Sequence, residues 1–159
     1  KDHQLTHEDN RNRISAKFAA CGISTNRLIF EGRENRNQYL ACYNRVDIAL
    51  SPFPYGGGTT TVEGLWMGVP CVTRVGRYFL SHIGESVAHN SGLSDWVAID
   101  NDDYVAKAVS FSSDLESLAA LRSGLREQIR ASPLFDATKF AEHFTRALVS
   151  MSKSLTQTD

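Results

Sequence analysis

The run Gly56-Gly57-Gly58-Thr59-Thr60-Thr61, followed at once by Val62-Glu63, gathers the residue types best able to do chemistry in this chain. A turn needs one or two glycines and a helix cap needs one threonine, so the surplus points to a backbone that touches something. Glycine lets the main chain approach a ligand closely and adopt dihedrals that other residues avoid. If the run leads from a strand into a helix, the unpaired N–H groups and the positive end of the helix dipole face one point, and phosphate is the natural ligand. Amides at Gly57 and Gly58 would hold it, with hydroxyls of Thr59, Thr60 and Thr61 as further donors. Glu63 has two readings. Thr60-Thr61-Val62-Glu63 matches the capping box, in which the Glu side chain returns to the cap residue's N–H, and spacing alone favours that reading. The other has the carboxylate accept two hydrogen bonds from a vicinal diol such as a ribose, one helical turn from the phosphates.

Familiar nucleotide loops do not match. There is no Gly-Lys-Thr of a P-loop, and the sixth residue counted from Gly56 is Thr61, so the G-x-G-x-x-G fingerprint is absent. A diphosphate bound by backbone amides, with no lysine, points elsewhere.

The elements that must position this loop alternate. Residues 7–21 read as a helix stopped by Gly22, 26–32 as a short strand, and 37–45 as a helix. Residues 46–51 read as a buried strand, and the glycine-threonine run then opens a short helix that ends at Gly68. Strands are expected at 69–75 and 95–100, with a helix over 78–90 between them. Beyond these come a helix capped by Asn101, a helix striped by Leu115, Leu118, Leu121, Leu125 and Ile129, and a last helix capped by Asp136. In that last helix Phe140, Phe144, Leu148 and Met151 recur every three or four residues. Strands alternating with helices predict an α/β fold, a Rossmann-like parallel sheet with flanking helices. In such sheets ligands bind beyond the carboxyl ends of the strands, where the glycine-threonine run lies.

Bulk properties narrow the classes. A chain of 159 residues with 42% hydrophobic and 22% charged residues fits one globular domain. A net charge of -1, with basic residues dispersed, argues against nucleic acid and acidic membrane surfaces. No apolar run reaches the length of a membrane span. Cys21, Cys42 and Cys71 are odd in number, lack C-x-x-C spacing and sit among apolar neighbours, so buried free thiols in a reducing compartment are expected. The chain opens on Lys1 rather than Met and is expected to be a piece of a longer protein, with residues 1–152 forming one lobe and 153–159 a frayed tail.

The residues DIALSPFPYGGGTTTVEGLWMGVPCVT resemble the donor-binding segment of the O-linked N-acetylglucosaminyltransferase and SPINDLY family, especially its bacterial members. The likeness continues through GRYFLSHIGESV, DYVAKAV and LRSGLREQIRASPLFDATKFAEHF, from about Asn26 to Met151. It implies the C-terminal, donor-binding half of a GT-B fold, whose reaction is inverting transfer of a sugar from a nucleotide diphosphate to Ser or Thr hydroxyls of proteins. It implies a UDP-sugar donor (GDP-sugar as the alternative), no cofactor and no metal, and a cytoplasmic location. Partners implied are a protein acceptor and, in the full-length chain, an N-terminal lobe and tetratricopeptide repeats. Catalytic residues are expected in that other lobe, so this chain alone would be inactive and bind nucleotide at about millimolar level. Thr59 and Thr60 match the family's threonine pair at the diphosphate, and Glu63 matches its ribose-holding acid, which tips Glu63 toward the diol. Arg36 and Tyr39 fall in the base-recognising region. Where several relatives carry a histidine before the threonine pair, this chain has Gly58, and the family's upstream diphosphate lysine has no counterpart here because that part of the lobe is expected to lie before Lys1. Two other readings compete: a related transferase acting on Asn or small acceptors, and a non-catalytic GT-B-like domain used for protein binding.

Overall fold

A computed structural model describes residues 3–156. The chain divides into two compact segments, Lys1–Cys42 and Tyr43–Asp159.

The first segment holds helices α1 (Glu8–Ala20) and α2 (Arg36–Ala41). Helix α1 ends where expected. Gly22 takes φ +76°, its N–H donates to Ala19 O and that of Ile23 to Phe18 O, which closes the helix in a Schellman turn. Helix α2 starts on Asn35, whose side chain accepts from Gln38 N at 3.0 Å. The strand expected at 26–32 does not form among the described residues: Thr25–Arg27 make a 3-10 turn and the residues after it are extended without a ladder. Leu28, Ile29 and Phe30 have the composition of a strand, but a strand exists only by pairing, and pairing is not written in composition.

The second segment carries the sheet. Its elements are β1 (Ala49–Leu50), α3 (Thr59–Trp66), β2 (Cys71–Arg74), α4 (Ile83–Asn90), β3 (Val97–Ala98), α5 (Asn101–Ser113), α6 (Leu115–Arg130) and α7 (Ala137–Thr156). The strands run parallel in the order β1-β2-β3, with Ala49 opposite Cys71 and Thr73 opposite Val97. The observed sheet therefore has the α/β, parallel character expected. The core is built from Leu65, Val72, Val87, Leu93, Trp96, Leu118, Leu125 and Ile129, which join α3, α4 and α6 around the central strand. Gly84 lets α4 lie against β2, since a Cβ there would meet Thr73 Oγ1 at 2.2 Å.

Three expectations shift. Asp100, not Asn101, caps α5, accepting from Asp103 N at 2.8 Å. Leu115 starts the α6 stripe but is 70% exposed, whereas Leu125 and Ile129 are fully buried. Cys71 is buried, but Cys21 is exposed and Cys42 partly so. Asp136 does cap α7, accepting from Lys139 N at 2.8 Å, and Phe140, Phe144, Leu148 and Met151 lie exposed along that helix. Of the expected tail at 153–159, residues 153–156 continue helix α7, and 157–159 lie outside the described residues.

Candidate functional site

Helix α3 is fastened at one end and open at the other. At its C-terminus Gly68 takes φ +78° and Val69 N donates to Gly64 O, so the chain turns sharply into β2. Two arginines of α6 reach this end. Arg126 Nε donates to Trp66 O at 2.7 Å and Arg122 Nε to Gly68 O at 3.1 Å, placing cations at the negative end of the helix. Arg122 also pairs with Asp47, ahead of β1. Near the first turn, the Tyr43 hydroxyl donates to Thr60 O at 3.1 Å, and its ring lies against the Cα side of Gly64.

The N-terminus faces the carboxyl end of β1. Gly58 is the cap, and the first intrahelical donors are Thr61 N and Val62 N, both to Gly58 O. The N–H groups of Gly57, Gly58, Thr59 and Thr60 have no acceptor among the described residues. Four successive amides at the positive end of a helix are able to take an anion. The Thr61 hydroxyl donates to Gly57 O at 2.9 Å and so is committed to the loop itself, contrary to its expected place among the ligand donors. Thr59 and Thr60 are exposed, and their hydroxyls have no partner among the described residues.

The glycines act here through space, not dihedral angle: none of Gly56, Gly57 and Gly58 has a positive φ. A Cβ on Gly57 would stand 2.7 Å from Thr60 Oγ1 and 2.8 Å from Thr61 Oγ1. One on Gly56 would stand 3.0 Å from Ser51 Oγ, while Gly58 meets only Ile83 Cγ2, at 3.8 Å. The helix register also rules out the capping-box reading of Glu63. A capping box needs its acid three residues after the cap; the cap is Gly58, so that place belongs to Thr61 and Glu63 lies two further on. Thr59 and Glu63 are i and i+4, hence on one face of α3.

Arg36 and Tyr39, the residues expected at the base, lie in the first segment. They are brought to each other, with Arg36 Cζ 5.8 Å from the Tyr39 ring centroid.

Sequence reasoning missed several residues at the carboxyl edge of the sheet. Tyr104, from α5, donates to Ser51 O at 3.0 Å and meets Phe53 edge-on, with ring centroids 5.4 Å apart. Its burial, and then the nearby Cys71 thiol, push its hydroxyl up to about 12. Burial likewise pushes the Cys71 thiol up to about 11, against a smaller opposing effect of the Ser51 backbone hydrogen bond. Arg74 closes β2 over the Phe53 ring, with Cζ 4.2 Å from its centroid. A basic residue at the end of a central parallel strand was the available signal for it. Tyr104, fifty-three residues from Ser51 in sequence, had none.

Comparison with known proteins identifies the family and the fold. A sequence model of glycosyl transferase family 41 matches residues 7–144. The chain is 42% identical over 119 residues to a probable UDP-N-acetylglucosamine–peptide N-acetylglucosaminyltransferase SPINDLY from Solanum lycopersicum, covering 75% of this chain and 12% of that protein. The corresponding Petunia hybrida protein is 41% identical, over 72% of this chain and 12% of its own length. A mutant O-GlcNAc transferase of Thermobaculum terrenum superposes with TM-score 0.87 at 32% identity, covering 97% of this chain and 30% of that one. The chain thus spans about an eighth of the length of those plant relatives.

Proposed function

The chain belongs to glycosyl transferase family 41, and from that premise we propose that it is the donor-binding lobe of a protein O-glycosyltransferase. The donor is a UDP-sugar of the N-acetylglucosamine kind. An acceptor Ser or Thr oxygen bonds to the anomeric carbon of the sugar while that carbon's bond to the diphosphate oxygen breaks. The leaving nucleoside diphosphate keeps the electron pair, and the hydroxyl proton passes to a base supplied from outside this chain. What these residues do is hold the leaving group. Amides of Gly57, Gly58, Thr59 and Thr60 and the hydroxyls of Thr59 and Thr60 take the diphosphate oxygens, and the helix dipole offsets charge as it develops. Glu63, one turn further, takes the ribose diol. The base is assigned to Arg36 and Tyr39, on the family resemblance and on their cation–ring pairing. We place the reaction in the cytoplasm, where a reducing environment suits the three free thiols Cys21, Cys42 and Cys71.

The observation that carries this reading is the row of four amides without acceptors at the head of α3. The test is thermal shift and calorimetric titration with UDP, GDP and ADP. Stabilisation by UDP alone is expected, and Glu63→Gln should weaken it about tenfold with Tm almost unchanged, as for loss of a charge-assisted hydrogen bond. No response to any nucleotide at several millimolar would leave a protein-binding domain as the better account.

A further inference from the structure

Two buried polar side-chain atoms lack a partner among the described residues, Ser51 Oγ and Arg74 Nε. Both stand at the carboxyl edge of the sheet: Ser51 directly follows β1, and Arg74 ends β2, the middle strand. Folded proteins leave few such groups, and those they leave tend to have a reason. This edge is where open parallel sheets take their ligands.

Arg74 is the more telling of the two. Its Nη1 donates to Asn101 Oδ1 at 2.7 Å, and its guanidinium lies on the Phe53 ring. Both neighbours are neutral. Among the described residues no ion pair includes Arg74. A partly buried cation without a counter-charge is costly unless an anion arrives. Nη2 has no partner and is not among the buried orphans, so in a partly exposed residue it reaches water. The guanidinium is therefore seated on a ring and an amide with one edge held outward, in surroundings that strengthen its pull on an anion.

The loop itself carries no cation. From Ser51 to Gly68 there is no Lys, Arg or His, so a diphosphate there would meet amides and hydroxyls only. Phe53, under the guanidinium, stands three residues before Gly56, so Arg74 is at the root of the same loop. With the ribose along α3 at Glu63, the phosphoryl joined to it lies at the amides of the α3 head. The second phosphoryl extends beyond that head, and the end of β2, the strand beside β1, carries Arg74.

We infer that Arg74 is a cation of the donor site, its Nη2 hydrogen-bonding the phosphoryl group of the nucleoside diphosphate farther from the ribose. This rests on the donor-site reading above. The test is calorimetric titration of the protein with UDP and with UMP, for the unchanged sequence, Arg74→Gln and Arg74→Lys. Arg74→Gln keeps a stem over Phe53 but removes the charge. It should weaken UDP about tenfold or more, the range of one charge-assisted hydrogen bond, and leave UMP within about twofold. Arg74→Lys should recover part of the loss, since the charge remains without the planar fork; it also serves as the readable variant if Arg74→Gln folds poorly. Equal losses for UDP and UMP would make Arg74 a support for the loop and overturn the inference, as would unchanged UDP binding. If the unchanged protein binds neither nucleotide, the donor-site reading has failed. If it prefers UDP and Arg74→Gln keeps that preference, only the role of Arg74 has failed.

Discussion

At Gly57 an added Cβ would press on the hydroxyls of Thr60 and Thr61 together, and the second of these holds the loop through its bond to Gly57 O. Alanine at this position forces both to turn. Gly57→Ala should therefore cost about 1 kcal/mol of stability, the worth of one hydrogen bond. Because the amide row and the Thr60 hydroxyl move with it, UDP affinity should fall by about tenfold or more. Denaturant melts and calorimetry on the same protein separate the two effects. An affinity loss no larger than the stability loss would remove Gly57 from the site.

The elements position that residue through the seat of α3 on α6. Leu125 and Ile129 are fully buried in the core that Leu65 of α3 also enters, while Leu115, on the same sequence stripe, is 70% exposed. Leu125→Ala should cost about 2–5 kcal/mol, the range for emptying a buried leucine site. Leu115→Ala should stay within about 0.5 kcal/mol. Urea unfolding of the two variants checks this directly. Loss of the α6 seat would also release Arg122 and Arg126 from the α3 carbonyls, so nucleotide binding should weaken in Leu125→Ala and not in Leu115→Ala.

For the whole molecule, burial of Cys71 sets a limit at alkaline pH. Its thiol is raised from 9.0 to about 11 in the folded state. Between those values the folded protein keeps a proton that the unfolded chain has lost. Stability therefore is fully present below pH 9.0, falls as pH rises, and the loss from this group levels off above about 11. The slope is about 1.4 kcal/mol per pH unit while the imbalance lasts. Tyr104, raised to about 12, carries the decline further in the same direction. Thermal melts from pH 8 to 11 should show this, and Cys71→Ala should flatten it. At neutral pH a thiol reagent should modify exposed Cys21 readily and leave Cys71 untouched until unfolding.

The glycine-threonine run, the alternation of elements and the stops at Gly22 and Gly68 were open to reading in the sequence because each is local: a turn, a cap and a periodicity depend on neighbours in the chain. The same local signals made residues 26–32 look like a strand and Leu115 look like core. Ladder partners and burial are made by residues far apart, so only the tertiary structure could correct these. It alone brought Arg74 over Phe53 and Tyr104 to Ser51, because contacts between separate elements leave no mark in either element's own sequence.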